Sequence, residues 1–200
     1  MSELAVRYER KTPRHEVQVA VPRGAVTHLH LPDDDAKAHL VTAVLKVRPE
    51  PEEELELFGE PAAALKPRQR ERLRARVGAV SPIVGLITNL NAWENISLPA
   101  AYHGRPALQD VAELSAEVLS AFGLDPATFL LRLPDELGTL ERRIASFVRQ
   151  LVSAPELMVF DGLEDGLSRA ESRHVRHFET VYRAHQPAGT VLYVDTMEDA

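Results

Sequence analysis

Cysteine is absent from this 200-residue chain, and tryptophan occurs only once. Without cysteine the chain can form neither a disulfide nor a thiolate site, which fits a reducing, cytosolic compartment. Positive charge is also scarce, because 23 basic residues face 30 acidic ones and the net charge is −7. This balance disfavours non-specific nucleic-acid binding, which requires a basic surface.

Long apolar runs are absent as well. The charged residues Glu3, Arg7 and Glu9 leave no room for the apolar centre of a signal peptide in this part of the sequence. The most apolar stretch, 77–90, is interrupted by polar residues and a proline, and it is too short to cross ~30 Å of hydrocarbon. We therefore expect any membrane association to come through a partner.

The stretch 155–168, PELMVFDGLEDGLS, gives the clearest structural indication in the chain. Its apolar residues 157–160 lie between a proline and a glycine, which is typical of a strand buried on both faces of a parallel sheet. The run ends at Asp161. An acid at the carboxyl end of such a strand lies where open α/β sheets bind their ligands.

Periodicity predicts strands and helices in alternation along the rest of the chain, which at 44% apolar residues is long enough for one cored domain. This alternation indicates an α/β fold with a largely parallel sheet covered on both faces. The basic run 67–76, with five arginines, is interpreted as a solvated helix or loop, or a patch near lipid headgroups, rather than a nucleic-acid site. We expect strands over 4–8, 16–21, 25–31, 77–80 and 190–194, an edge strand near 55–58, and helices from Ala36 and over 106–122, 139–154 and 169–185.

Taken in order, these segments resemble the nucleotide-binding domain of ATP-binding-cassette (ABC) transporters. The stretch 155–168 is similar to the Walker B strand and D-loop of that family. The stretch 85–104, GLITNLNAWENISLPAAYHG, resembles its lipid-transport branch, whose ATPase subunits serve permeases of outer-membrane lipid trafficking.

The resemblance implies an ABC-type P-loop NTPase fold. Its RecA-like, mostly parallel core, with antiparallel N-terminal strands, would comprise 1–82 and 137–200, and a helical subdomain would comprise 83–136. The chain would also be short at its carboxyl end, where family members continue with a helix and a strand that help to cover the sheet.

The resemblance places the phosphate-binding loop at 31–39, LPDDDAKAH. The motif GxxxxGK[ST] needs glycines for backbone approach to the phosphates, a lysine for their charge and a hydroxyl for Mg²⁺. Only Lys37 is kept, Ala38 replaces the hydroxyl, and three carboxylates would repel a triphosphate. We predict that an Asp accepts the free N–H groups at this helix terminus, and that Lys37 pairs internally with Asp161 or Asp35.

The other positions that the family uses for hydrolysis are changed too. By the resemblance, Gly162 stands at the catalytic base, Pro82 at the Q-loop glutamine, Thr196 at the switch histidine, and 137–141, LGTLE, at the signature. Each ATP site of the family lies between one subunit's phosphate loop and the other's signature, so both sites of a dimer would be damaged. Loss of a base or a donor typically costs ~10²–10⁴ in rate, and hydrolysis is therefore predicted to be lost.

The least altered segment, 85–104, corresponds to the surface where the family docks its permease. The sequence therefore predicts a pseudo-ATPase scaffold or regulatory subunit that has no catalytic residue, metal or cofactor. It would lie in the cytoplasm at the inner membrane through an ABC permease, paired with itself or with an active ABC ATPase. The predicted docking residues are Leu86, Asn89, Leu90, Trp93 and Glu94.

Two alternatives stay open. In the first, the chain is an ABC ATPase subunit that still binds ATP and Mg²⁺ weakly through Lys37, Asp161 and Tyr8, although a strand tyrosine more often packs in a core. In the second, the fold binds a metal. His28 and His30 would share one face of a strand, near His39 and the carboxylates of 33–35, and such sets suit zinc.

Overall fold

The computed structural model describes residues 3–13, 16–104 and 106–197, which fall into two compact units. The first unit is Met1–Ala79, Pro155–Gly162 and Gln186–Ala200, and the second is Val80–Ala154 and Leu163–His185. The division into a core over 1–82 and 137–200 and a helical subdomain over 83–136 stays a prediction.

An antiparallel sheet is formed by β1 (Leu4–Lys11), β2 (Glu16–Pro22), β4 (Glu53–Leu57) and β5 (Glu60–Pro61), in the order β2-β1-β4-β5. Buried and exposed residues alternate along β1 and β2, and the buried face is apolar apart from Arg10 of β1 and Glu53 of β4. The strand and turn predicted near 55–58 are confirmed by β4, but the predicted place of this strand at the edge of the sheet is wrong. A turn with positive φ at Phe58 and Gly59 returns the chain, so that β5 pairs with the outer side of β4.

A second, mostly parallel sheet has the order β3-β8-β7-β6, with β3 at Val26–Leu31, β6 at Val77–Val80, β7 at Leu157–Asp161 and β8 at Thr190–Thr196. Both β3 and β7 pair with β8 in parallel. Every residue of β7 is buried, which confirms the prediction from its apolar run. The carboxyl ends of β3, β8 and β7 consequently lie at one edge of the sheet.

Helix α1 (Asp34–Lys46) lies between the two sheets in the core of the first unit. Its buried residues, Leu40 and Val44 among them, belong to one cluster with Tyr8 and Leu57 of the antiparallel sheet and Leu192 of the parallel sheet. A short, mostly exposed helix, α2 (Pro67–Arg74), follows β5 and confirms the helical interpretation of the basic run.

The second unit is helical in its described residues. It contains α3 (Ala92–His103), α4 (Leu108–Ala121), α5 (Pro126–Phe129), α6 (Thr139–Val152), α7 (Arg169–Val175) and α8 (His177–His185). Its core includes Phe147 and Phe178, whose stacked rings are 4.3 Å apart, with Phe122 packed edge-on against both.

The predicted single helix over 169–185 is two helices. The ladder of backbone hydrogen bonds is interrupted at Arg176, whose own backbone stays right-handed helical, so that the chain continues without reversing direction. The guanidinium of Arg176 is held by Glu164. No helix among the described residues has the length and apolar composition needed to cross a membrane.

Candidate functional site

Lys37 and Asp161 meet at the edge where the parallel strands end. Lys37 lies in the first turn of α1, directly after β3, and Asp161 is the last residue of β7. The Lys37 Nζ atom is 3.8 Å from Asp161 Oδ1 and 3.6 Å from Asp34 Oδ1. The Asp161 side chain is 6% exposed, so this ion pair is screened little by water.

Asp33 closes the N-terminus of α1 with its own side chain. Its Oδ1 accepts the backbone N–H of Ala36 at 2.8 Å, and its carbonyl accepts that of Lys37 at 3.1 Å. The predicted cap is thus confirmed, and Asp161 is the predicted partner found beside Lys37. Asp35, the other candidate, instead accepts a hydrogen bond from Arg10 at 3.0 Å.

ATP and Mg²⁺ fit these residues poorly. A triphosphate would need the N–H groups at the start of α1, where Asp33 already accepts one, and it would have to displace two carboxylates from Lys37. Ala38 has no side-chain oxygen for a magnesium ion. The carboxylates of the loop make this site negative, and a triphosphate would add further negative charge.

Tyr8 lies in the core of the first unit. Its side chain is 0% exposed, and its hydroxyl donates to Glu53 Oε1 at 2.9 Å. Burial and this hydrogen bond raise the pKa of Tyr8 well above its usual range. No face of the ring is exposed for stacking on a nucleotide. Tyr8 therefore packs in the core, the role that a strand tyrosine more often has.

Glu53 is the centre of a buried polar cluster around Tyr8. Its carboxylate, 1% exposed, also accepts the backbone N–H of Glu50 at 2.8 Å and lies 2.8 Å from His39 Nδ1 and 3.8 Å from Arg10 Nε. His39 is on α1 and the other members are on or beside the antiparallel sheet, so the cluster ties the helix to the sheet. Sequence patterns gave no indication of Glu53, which stands in a run of exposed acids.

The histidines of the metal alternative lie in different surroundings. His28 stacks on Tyr193 with ring centres 4.4 Å apart, whereas His39 contacts Glu53. Within residues 3–13, 16–104 and 106–197, no group of three or more His, Asp or Glu side chains is arranged to hold a metal ion. The structure therefore gives the metal alternative no support.

Gly162 directly follows β7, and Thr196 is the last residue of β8. Gly162 has a φ of +55°, which a glycine adopts without strain, and its N–H donates to the Val194 carbonyl at 3.1 Å. Thr196 ends β8 and is buried. The structure places both residues near the carboxyl ends of β7 and β8.

A carboxylate also occupies the N-terminus of α6, where the segment 137–141 lies. Glu141 Oε2 accepts the backbone N–H of Gly138 at 2.8 Å, and its Oε1 accepts from Arg132 at 2.6 Å. The hydrogen bond from Arg132 lowers the pKa of Glu141. This helix terminus therefore carries an ion pair of the chain itself.

The predicted docking residues lie on the loop before α3 and on its first turn. Asn89 and Glu94 are exposed, while Leu86, Leu90 and Trp93 are half-buried. Glu94 also has a local structural role, because its carboxylate accepts the backbone N–H of Asn91 in a capping box.

Two buried residues that sequence reasoning missed hold this loop in shape. Asn95, fully buried, accepts the Ile87 N–H at 2.7 Å and donates to the carbonyls of Ile87, Leu90 and Asn91. Arg149 of α6 donates to the carbonyls of Val84 and Gly85 at 2.8 and 3.1 Å. A polar residue inside an apolar helical pattern, as at both positions, is the signal that could have revealed them.

No family model matches the chain, but curated proteins do. It is 27% identical over 143 residues to lipoprotein-releasing system ATP-binding protein LolD 1 of Rhodopirellula baltica, covering 71% of this chain and 60% of the relative. It is 26% identical over 181 residues to the uncharacterized ABC transporter ATP-binding protein YbbA of Escherichia coli, covering 90% and 77%. It is 27% identical over 133 residues to the macrolide export ATP-binding/permease protein MacB of Neisseria meningitidis, covering 66% and 20%.

Solved structures with this fold are numerous. The dimeric structure of the bacterial ABC transporter cassette MJ0796 matches with a TM-score of 0.76 at 18% identity, covering 100% of this chain and 89% of that one. The structure of cbiO1 from Clostridium perfringens, part of the complex cbiONQ, matches with a TM-score of 0.72 at 14% identity, covering 98% and 79%.

Proposed function

We propose that the chain is a non-hydrolysing subunit of an ABC transporter of the lipoprotein-release type. Its fold is that of ABC ATPases, and its sequence resembles the ATP-binding subunits of lipoprotein-releasing systems. In this role it is a scaffold or regulator that docks on a permease. The observation that carries the proposal is the Asp33 cap together with the Lys37–Asp161 ion pair.

Charge is the main reason to expect no nucleotide. In the family, the lysine of the loop neutralises phosphate, and here it already faces two carboxylates. Displacing them leaves the buried Asp161 carboxylate without its counter-charge beside a triphosphate, while the exposed Asp34 carboxylate adds a weaker, water-screened repulsion. Like charges at close range cost several kcal/mol, so at roughly millimolar ATP the site would stay closed.

A carboxylate of the chain also occupies a helix N-terminus at the signature segment, 137–141. Glu141 and Arg132 hold the N-terminus of α6, where the family presents donors to the γ-phosphate of the partner's nucleotide. In a dimer that contains this chain, each ATP site between the subunits would therefore meet either the altered phosphate loop or the altered signature segment. The proposal of lost hydrolysis rests on both termini together.

Docking on a permease is supported by the loop before α3. Ile83 and Ile87 are 48% and 41% exposed beside the predicted docking residues, and Asn95 and Arg149 fix the backbone that carries them. MacB, whose name gives both ATP-binding and permease parts, indicates the kind of partner. We therefore place the chain on the cytoplasmic side of the inner membrane, next to an ABC permease, as a homodimer or beside an active ABC ATPase.

The test of this function is ATP turnover by the chain purified with its permease. We expect no hydrolysis above background, and the same rate for the Lys37→Ala variant. Hydrolysis that disappears on Lys37→Ala would overturn the proposal and would identify the chain as an active ATP-binding subunit.

A further inference from the structure

A concentration of positive charge lies on α2 in an otherwise acidic protein. The segment 66–76 holds six basic residues and one acid, whereas the remaining sequence holds 17 basic and 29 acidic residues and so carries −12. The long-range field of such a molecule favours an orientation in which this basic segment faces an anionic surface.

The packing of α2 leaves its cations accessible. Leu73 is the buried anchor of the helix, and Arg70 ties it to the end of α1 by donating to the Val47 carbonyl at 3.0 Å. Lys66, Arg68, Arg72 and Arg74 are exposed.

Local acids offset this charge only in part. Arg72 lies 3.4 Å from Glu60, and Arg74 lies 3.3 Å from Glu71, in ion pairs that are open to water and therefore weak. Among the described residues, Lys66 and Arg68 have no carboxylate within ion-pair distance. Arg68 and Arg72 are one turn apart, so their side chains project from one face.

We propose that α2 is a binding surface for the anionic headgroups of a membrane. The proposal goes beyond the proposed function, and it rests on that function only in that a permease would bring the chain to a membrane. Exposed arginines suit a charged lipid surface, where each basic residue strengthens binding independently. Single-stranded nucleic acid would call for stacking aromatics, and the segment 66–76 contains none.

The test uses the whole purified chain and vesicles without a permease. We expect it to sediment with vesicles of about 40 mol % phosphatidylglycerol at low salt, and to be released at roughly 300 mM salt or on pure phosphatidylcholine. Each cation near such a surface strengthens binding about fivefold, so the triple variant Arg68→Gln, Arg72→Gln and Arg74→Gln should bind about a hundredfold more weakly.

A matched control removes the same charge from exposed arginines of the second unit, by Arg142→Gln, Arg169→Gln and Arg173→Gln. This control has the same net charge as the α2 variant, and it should bind vesicles nearly as well as the unchanged chain. The proposal is overturned if both triple variants bind alike, if the unchanged chain does not bind phosphatidylglycerol at low salt, or if duplex DNA displaces it from vesicles at equal phosphate concentration. These outcomes leave ATP turnover untouched, so they separate this proposal from the proposed function.

Discussion

Asp33 acts in this structure as the ligand of its own helix. Its side chain accepts an N–H that α1 would otherwise offer to a phosphate. We expect Asp33→Ala to lower the free energy of unfolding by about 1 kcal/mol, as the loss of an N-cap does. Urea unfolding measures this change. Asp34→Ala is the control, because the Asp34 side chain is 87% exposed and makes no cap. Equal losses in the two variants would contradict the role of Asp33.

Glu53 should matter more to stability than any other acid in its strand. Removal of its carboxylate leaves Tyr8 and His39 without their shared hydrogen-bond acceptor and Arg10 without a buried counter-charge. We predict that Glu53→Ala lowers the free energy of unfolding by about 3–5 kcal/mol, the usual cost of breaking a buried charged cluster. The neighbouring exposed variant Glu54→Ala should change it by less than about 0.5 kcal/mol. A mild effect at Glu53 would show that the cluster contributes little.

The raised pKa of Tyr8 predicts a loss of stability in alkali. The folded state holds the phenolic proton more tightly than the unfolded chain, whose tyrosine titrates near pH 10, so this contribution is fully present below pH 10 and falls as the pH rises toward the folded pKa. We expect the free energy of unfolding to fall by up to about 1.4 kcal/mol per pH unit above pH 10 because of this residue. Comparison with Tyr8→Phe isolates the effect, and parallel pH profiles would contradict it.

The residues that were predicted correctly interact locally or through simple strand order. Asp33 caps a helix three residues away, and Lys37 meets Asp161 because parallel strands end at one edge. Among the residues that were missed, Arg149 and Glu53 pair over long sequence distances, whereas Asn95 bonds its own neighbouring loop. Arg149 and Val84 are 65 residues apart, and Tyr8 and Glu53 are 45 apart. Periodicity carries no information about such pairs.

At the scale of elements, the loop before α3 depends on one amide. Asn95 satisfies one N–H and three carbonyls of that loop from a fully buried position. We predict that Asn95→Ala costs about 2–3 kcal/mol, since several backbone groups lose their partner, and that amide exchange in 86–91 quickens. Asn89→Ala, at an exposed position in the same loop, should leave exchange unchanged. Equal exchange rates in both variants would contradict the role of Asn95.

The elements predicted correctly were those with a strong pattern of apolar residues. The apolar run of β7 and the amphipathic pattern of α6 gave both elements to within two residues. The errors arose where local pattern does not decide. The hydrogen-bond ladder over 169–185 breaks at an ordinary arginine, and β4 gains a second neighbour from a turn at Phe58, whose positive φ its side chain does not favour.

At the scale of the whole molecule, the α/β fold follows from the alternation of strands and helices, while its identity as an ABC fold came from a handful of residues. The string NLNAWENISLP and the stretch around Asp161 indicated this fold, although the curated relatives named above are only 26–27% identical to the chain. The charge around the phosphate loop depends on residues that meet only in the folded chain. Asp33, Lys37 and Asp161 come together at the carboxyl edge of the parallel sheet.

Closure of the phosphate loop to nucleotide is tested by a calorimetric titration of Mg-ATP into the purified chain, with thermal melting alongside and an active ABC ATPase subunit as the positive control. We expect no heat of binding and no shift in melting temperature at millimolar ATP. A ligand present at 100 times its dissociation constant stabilises a fold by about 2.7 kcal/mol. Stabilisation of that size, lost on Lys37→Ala, would contradict the account of a loop closed by Asp33 and Asp161.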